Sequence, residues 1–372
     1  MSSVSVVRCE TYELTALRRS VRTALAPLGG IERFVRPGMR VLLKPNMLTA
    51  VGPERAVTTH PAVLLATAEL VQQAGGTVLI GDSPAGPVGR ASEVFRVSGV
   101  AEAAARLGVD QVPFDSVIWK RLNGRDYFVA RAISEADLVI NLPKLKTHQL
   151  TLYTGAVKNM FGAIPGTRKR ELHLQAPGVV DFSRVLVDVL ELAQPHLTVM
   201  DGILGLEGNG PGRAGTPRAY GCLLASTDPV ALDAVVARAL GYRPGQVRYL
   251  KLASDRGLGT TITDDVEVIG DRGALSFGSV RLPGPHWYFH APSWVTRPFT
   301  GLLTIRPLVR ASACVGCGRC AEVCPREAIS WGDPPVFDLD ECIGCMCCAE
   351  VCPQGAIEPR RSLLARVIGL GE

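Results

Sequence analysis

The chain has 372 residues, of which 47% are hydrophobic and 20% charged, with a formal net charge of +5. Its length predicts more than one domain, and its composition excludes a largely disordered chain. Met1–Glu10 lacks the cationic start and apolar run of a targeting segment, and no stretch reaches the roughly 18 apolar residues of a membrane span. The sequence therefore predicts a cytoplasmic protein without a membrane span.

Short apolar runs alternate with longer amphipathic ones over residues 1–272. This pattern predicts an α/β domain in which helices flank a largely parallel sheet. The predicted strands are Val41–Leu43, Thr77–Ile80, Leu138–Asn141, Leu197–Met200, Cys222–Ala225 and Val266–Ile269. Predicted helices are Pro61–Gln73, Phe182–Ala193 and Pro229–Leu240, the last with Asp228 as its N-cap.

Proline and aromatic residues accumulate over residues 273–310, as in His286–His290. We interpret this segment as a connector that packs against a neighbour, with a role at a membrane surface as the alternative. Residues 359–372 form a basic tail in which Arg360–Leu370 has the pattern of a short amphipathic helix. This helix would cover the preceding module or bind a partner or membrane.

Eight of the eleven cysteines form two runs of identical spacing. The first run is Cys314, Cys317, Cys320 and Cys324, and the second, 28 residues later, is Cys342, Cys345, Cys348 and Cys352. Each run ends in Cys-Pro, and the surrounding 16-residue segments match at eleven positions, which indicates an internal duplication. In a reducing compartment such spacings indicate metal ligands rather than disulfides.

Thiolates in this spacing are typical ligands of 4Fe-4S clusters, and the fourth cysteine of each run ligates the other cluster. The sequence therefore predicts two 4Fe-4S clusters. Cys314, Cys317, Cys320 and Cys352 would hold cluster one, and Cys342, Cys345, Cys348 and Cys324 would hold cluster two. Structural zinc is the alternative, but zinc sites use pairs of cysteines. Cys347, next to Cys348, either points away from the cluster or exchanges with a ligand.

Both runs resemble the bacterial two-cluster ferredoxins, which implies a small pseudo-twofold α+β fold for residues 311–358. This segment has two basic and eight acidic side chains, whereas the rest of the chain carries a net +11. Opposite charges favour docking of the two parts. The one tight basic run, Arg168–Arg170, is interpreted as a solvated loop, so no nucleic-acid partner is predicted.

Polar residues follow four predicted strands, at the edge where ligands of open parallel sheets bind. Lysines among them favour an anionic small-molecule substrate. We predict that Lys144 and Lys146 clamp the anion and that His148, on the same face of an extended segment, donates protons. The predicted substrate-binding residues are Lys44, Asn46, Asp82, Ser83, Lys158 and Asn159, and weaker candidates include His60.

Gly210–Gly215 formally matches GxGxxG, but Pro217 interrupts the helix that a dinucleotide site requires. A flexible loop at the rim of the pocket is the preferred interpretation. Cys222 lies in a predicted buried strand and is expected to be inert.

The order of several short motifs resembles the DUF362 family over roughly residues 38–270. These motifs are KPN at 44–46, THP at 59–61, GDSP at 81–84, LPKLKTH at 142–148, VKNMFG at 157–162 and DPVALD at 228–233. Members of this family often carry the same ferredoxin module. The resemblance implies an iron-sulfur redox protein.

The leading hypothesis is an oxidoreductase that takes electrons from a ferredoxin or a reductase and delivers them to an anionic small molecule. An electron-transfer or maturation subunit without its own active site is the alternative, and it would act on a partner enzyme. A third hypothesis is a ligand sensor that signals through the clusters.

Overall fold

The computed structural model describes residues 2–86, 90–166, 168–176, 178–243, 245–283 and 305–361. Its strands are β1 Ser2–Arg8, β2 Arg40–Pro45, β3 Thr77–Ile80, β4 Asp110–Gln111, β5 Val117–Leu122, β6 Arg125–Ala130, β7 Leu138–Leu142, β8 Lys144–His148, β9 Leu152–Thr154, β10 Leu197–Gly208, β11 Gly215–Ser226, β12 Val266–Gly270, β13 Ile305–Val309, β14 Ile329–Ser330, β15 Val336–Phe337 and β16 Ile357–Arg361. Its helices are α1 Leu14–Leu25, α2 Pro61–Gln73, α3 Ala91–Val97, α4 Val100–Leu107, α5 Arg131–Glu135, α6 Ala156–Asn159, α7 Arg168–Gln175, α8 Val179–Leu192, α9 Pro229–Ala239, α10 Arg248–Asp255, α11 Arg319–Glu322 and α12 Cys347–Val351.

Within the described residues, the main sheet has the strand order β12, β1, β11, β10, β7, β2, β3, β4, with β8 and β9 attached beside β10. The block from β10 to β4 is parallel, whereas β10 and β11 form an antiparallel hairpin. Successive residues of β2 point to opposite faces. Val41 and Leu43 therefore pack with Val63 of α2, and Leu42 lies in the core that contains Phe182 of α8. The predicted mostly parallel α/β sheet with flanking helices is confirmed.

The six predicted strands lie within β2, β3, β7, β10, β11 and β12, and α2 has the predicted bounds. Asp228 caps α9 as predicted, since its carboxylate accepts hydrogen bonds from Val230 N at 2.9 Å and Ala231 N at 2.8 Å. Strand β1, which pairs with β11 and β12, was not predicted. In this short strand Ser and Val alternate, and only two apolar side chains, Val4 and Val6, are completely buried. The hydrophobic pattern that would predict a strand is therefore weak.

A small cysteine-rich module, residues 305–361, contains α11, α12 and two short antiparallel strand pairs. Strand β13 starts inside the predicted connector, and β16 extends past residue 358, so pairing reaches beyond both predicted bounds. Residues 284–304, which include the aromatic cluster, and residues 362–372 lie outside the described residues. Arg360 and Arg361, predicted to begin the basic helix, instead end β16, and the rest of that helix is in the second segment. The domain bounds and the roles of those segments stay predictions.

None of the helices in the described ranges is both long and apolar enough to cross a membrane. The cytoplasmic location stays a prediction.

Candidate functional site

The eight cysteines of the two runs line two separate cavities. Cys314, Cys317, Cys320 and Cys352 line the first cysteine cavity, and Cys324, Cys342, Cys345 and Cys348 line the second. Each cavity therefore takes three cysteines from one run and one from the other, which is the exchange expected from the spacing.

The surroundings of these thiols fit a 4Fe-4S cluster. Backbone N–H groups donate to the sulfur of Cys324 from Ala328 at 3.3 Å and to that of Cys352 from Ala356 at 3.2 Å. Such hydrogen bonds stabilise thiolates that ligate iron. No three His, Cys, Asp or Glu side chains of the described residues lie close enough to hold a single metal ion. Four thiols around each cavity match the ligand set of a 4Fe-4S cluster.

Ion pairs join the cysteine-rich module to the α/β domain. Arg90 contacts Glu322 at 2.6 Å, Arg170 contacts Glu327 at 2.9 Å, and Arg319 contacts Glu93 at 2.8 Å. In two of these pairs the acidic partner belongs to the module. The docking predicted from the opposite net charges is observed.

The glycine segment Gly210–Gly215 lies at the tip of the β10–β11 hairpin and packs against α12. A Cβ atom on Gly212 would lie 2.9 Å from the backbone oxygen of Glu350, so only glycine permits this approach. Pro211 of the same segment lines a cavity between the two parts of the chain. This position agrees with the predicted loop at the rim of a pocket.

That cavity, the interface cavity, encloses about 110 Å³ between the α/β domain and the module. Four cationic side chains of the described residues line it, and one of them, Arg170, is paired with Glu327 of the module. The other three, Lys146, Lys158 and Lys169, form its cationic wall. Amide, apolar and aromatic groups of the α/β domain complete that side, and the module contributes the opposite side. The other α/β residues in the wall include Asn46, Met47, Leu48, Asp82, Ser83, Asn159, Phe161 and His173, and those of the module are Glu322, Val323, Cys347, Glu350 and Val351.

Lys146, on β8, is held by a chain of side-chain amides, of which Asn159 and Asn141 are buried. Its ammonium donates to the side-chain oxygen of Asn46 and, at 2.8 Å, to the carbonyl of Val57. Asn46 donates in turn to Asn159 at 3.0 Å, and Asn159 donates to Asn141 at 2.8 Å. Burial lowers the pKa of Lys146 to about 7, with the nearby positive charge of Lys158 adding to the shift.

Two further lysines lie in the cavity wall. The Lys158 ammonium makes no hydrogen bond or ion pair with any residue that the structure describes, which leaves it able to bind an anion. Lys169, on α7, donates to the carbonyl oxygens of Ser83 and Pro84, and burial lowers its pKa to about 7. The interpretation of Arg168–Arg170 as a solvated loop was wrong, because α7 begins there and Arg170 binds the module.

Lys44 and Lys144 do not line the cavity, contrary to the prediction of one pocket containing all four strand ends. The Lys44 ammonium lies 2.7 Å from Asp82, and that of Lys144 lies 2.7 Å from Asp201. Both pairs are completely buried. Burial lowers the pKa of both lysines, and the paired carboxylates oppose this shift. The Lys44–Asp82 pair also stabilises the cavity wall, because Asp82 accepts a hydrogen bond from the N–H of Met47 at 2.8 Å.

His148 lies behind the cavity and contacts the module. Its Nδ1 accepts from the N–H groups of Leu150 and Thr151, and its Nε2 lies 3.1 Å from Oε1 of Glu350. Burial lowers the pKa of His148 to about 4, so the ring is neutral with its hydrogen on Nε2. Burial opposes ionisation of Glu350, but Lys158 and His148 lower its pKa to about 2.

Two other histidines have structural contacts. His60, a weaker candidate, accepts from Ala62 N at 3.1 Å and so caps α2, and its ring stacks on Tyr12 at 3.7 Å. His173, which sequence reasoning missed, lines the cavity and stacks on Phe182 at 4.2 Å. Burial lowers the pKa of both histidines to about 4.

The DPVALD motif has a structural role. Asp233 accepts hydrogen bonds from Ala156 N at 2.7 Å, Val157 N at 2.9 Å and the Tyr153 hydroxyl at 2.9 Å. It thereby anchors α6, the helix that carries Lys158 and Asn159.

An α/β domain with a docked cysteine-rich module defines a two-part iron-sulfur protein. Residues 41–238 match the family described as "Domain of unknown function (DUF362)", and residues 313–356 match the "4Fe-4S dicluster domain". The chain belongs to the DUF362 family and carries a C-terminal 4Fe-4S domain, as the motifs predicted.

A curated relative is the "Thylakoid-associated protein sll1697" of Synechocystis sp., 40% identical over 272 residues, which are 71% of this chain and 82% of the relative. Among solved structures, that of the lactate racemase apoprotein from Thermoanaerobacterium thermosaccharolyticum matches with a TM-score of 0.34 and 14% identity. It covers 54% of this chain and 50% of the racemase chain.

Proposed function

We propose that this protein is an iron-sulfur oxidoreductase that passes electrons through two 4Fe-4S clusters to an anionic small molecule in the interface cavity. Cys314, Cys317, Cys320 and Cys352 would hold one cluster, and Cys324, Cys342, Cys345 and Cys348 the other. When bound, the clusters supply single electrons at low or moderate potential.

The single observation that carries this proposal is the position of α12. This helix contributes Cys348 to the second cysteine cavity, and its Cys347 and Glu350 line the interface cavity. One short helix therefore separates the proposed second cluster from the lysine wall. A ligand in the interface cavity would lie close to a source of electrons.

The cationic wall favours an anionic ligand. Lys158 makes no hydrogen bond or ion pair among the described residues, although its charge acts on Glu350, and Lys146 and Lys169 have only neutral partners. Lysines bind carboxylate or phosphate groups as point charges. Apolar contacts with Met47 and Phe161 on the same cavity favour an organic anion with a short apolar part.

We assign the proton-donating role to Lys146 and Lys169 rather than to His148. A group whose pKa lies near 7 is suited to general acid catalysis, and burial lowers both lysines to that value. His148 is instead a positioning residue that holds Glu350. Two electrons from an external one-electron donor protein and two protons from these lysines would balance one reduction, and solvent would reprotonate the lysines.

A subunit without an active site of its own would not need this wall. The unpaired Lys158 ammonium inside a cavity thus favours the oxidoreductase over the electron-transfer or maturation alternative. The segments proposed for partner binding in that alternative lie largely outside the described residues.

Anaerobic purification followed by native mass spectrometry tests the proposal. Wild type should retain the mass of two 4Fe-4S clusters and a small organic anion. Lys158→Ala should retain the clusters and lose the anion, whereas Lys251→Ala should behave as wild type, since Lys251 pairs with Asp255 on the surface. Equal retention of the anion by both variants would refute the site.

A further inference from the structure

An exposed apolar patch covers the outer side of the first cysteine cavity. The exposed fractions of its three members are 78% for Trp331, 67% for Val336 and 58% for Val315. The Trp331 indole donates to the carbonyl of Gly316 at 3.1 Å, next to Val315, and Val336 pairs with Ser330, the residue before Trp331. Trp331 therefore lies next to Val315, and Val336 lies on the strand paired with the one before Trp331. These three exposed residues are called the Trp331 patch.

The patch lies where an electron carrier would need to dock. Val315 and Pro335 line the first cysteine cavity, and Cys317 of that cavity is itself exposed. Cys345 and Cys348 of the second cavity are buried, and Cys347, beside Cys348, lines the interface cavity. The first cavity therefore has a ligand that is open to a carrier protein, and the second cavity adjoins the interface cavity.

The surroundings of the patch are acidic. Residues 331–341 contain four exposed carboxylates and no basic residue: Asp333, Asp338, Asp340 and Glu341. Of these, Glu341 pairs with Arg326. An exposed tryptophan with a charged rim is typical of a surface that binds another protein, and opposite charge on that protein accelerates encounter.

We propose that the Trp331 patch is the docking surface for a one-electron carrier protein whose own face has an apolar centre and a rim of lysines. This inference rests on the proposed function, because it assumes that the first cysteine cavity holds a cluster. The small area fits the transient complexes that redox proteins form. Electrons enter at the patch and leave at the interface cavity.

Cytochrome c, a basic one-electron carrier, serves as the probe. Calorimetric titration with both proteins oxidised measures its Kd without electron transfer, and stopped-flow absorbance then measures its reduction by the reduced protein. Trp331→Ser should weaken binding by about tenfold, and Val336→Ser by a smaller factor. Asp340→Asn should reduce the dependence of Kd on salt. Each change in Kd should be accompanied by slower reduction of cytochrome c.

Trp119→Ser is the matched control, because Trp119 is 57% exposed but lies on β5 of the α/β domain. It should bind cytochrome c as wild type does. If Trp331→Ser lowers the iron content, its weaker binding could reflect a damaged cluster site. The Kd of Val336→Ser then tests the docking surface, since the Val336 side chain does not line a cysteine cavity. Unchanged binding in these patch variants would overturn the docking surface. Absence of clusters from the wild type would instead refute the proposed function.

Discussion

His148 of the α/β domain and Glu350 of the cysteine-rich module are joined across the interface, with 3.1 Å between Nε2 and Oε1. The histidine side chain is 1% exposed and the glutamate 14%. Because both Nδ1 contacts are backbone N–H donors, the hydrogen of the neutral ring is on Nε2, the atom that contacts Glu350. This contact links the strand that carries Lys146 to the helix that carries Cys348.

Glu350→Ala should destabilise the protein by about 2 kcal/mol, because it leaves the buried Nε2 of His148 without the carboxylate that lies 3.1 Å away. Chemical denaturation measures this change. Glu358→Ala is the control. The Glu358 side chain is 43% exposed and pairs with Arg310, so this variant should lose no more than about 0.5 kcal/mol of unfolding free energy. Equal losses of unfolding free energy in the two variants would contradict a stabilising role of the contact between His148 and Glu350.

Gly212→Ala should loosen the docking of the module, since the added Cβ would lie 2.9 Å from the Glu350 backbone oxygen. Overpacking of this kind costs about 1 to 3 kcal/mol. Small-angle X-ray scattering should show a larger radius of gyration. Gly178→Ala, whose Cβ would meet nothing within 4 Å, should leave the radius unchanged. An unaltered radius in Gly212→Ala would speak against the close approach.

Cys352→Ser should impair the cluster of the first run, and Cys324→Ser that of the second, because each fourth cysteine lines the other run's cavity. Each variant should retain about half of the wild-type iron and one of the two electron paramagnetic resonance signals. Cys222→Ser, in a buried strand far from both cavities in sequence, should retain both signals. The opposite assignment of lost signals would indicate that the runs do not exchange ligands.

Anion affinity should fall as pH rises from 6 to 9. Lys146 and Lys169 have pKa values of about 7 in the free protein, so both are mainly charged at pH 6 and mainly neutral at pH 9. A bound anion stabilises the charged form of the lysines and raises their pKa, so the loss of affinity occurs at a higher pH than about 7. Sulfate is a suitable probe, since its own charge is constant over this range, and calorimetry measures its Kd. An affinity that is independent of pH would exclude these two lysines from the anion site.

Much of the fold followed from local sequence patterns. The buried strands β2, β3 and β7 are short apolar runs that end in polar residues, and α2 ends where Gly75 and Gly76 stop it. The cysteine spacing predicted which four cysteines line each cavity, because that spacing is itself set by cluster geometry. Strand pairing over long separations, as for β1, has no such local signal.

The candidate site was predicted less completely. Lys44 and Lys144 satisfy the pattern of a ligand site, but their acidic partners, Asp82 and Asp201, are distant in sequence and make them structural. Lys169 was missed because its run looks like a solvated loop until α7 packs beside the carbonyl oxygens of Ser83 and Pro84. Which lysines remain available to an anion depends on these tertiary contacts.

Reoxidation of the chemically reduced protein tests the central claim most directly. The anion identified in wild type by mass spectrometry is added anaerobically to dithionite-reduced protein freed of excess reductant, and cluster absorbance is followed. The account predicts that absorbance recovers in wild type and in Lys251→Ala but not in Lys158→Ala, while the reduced anion accumulates at one molecule for every two electrons. Clusters that stay reduced in wild type with the anion bound would contradict it.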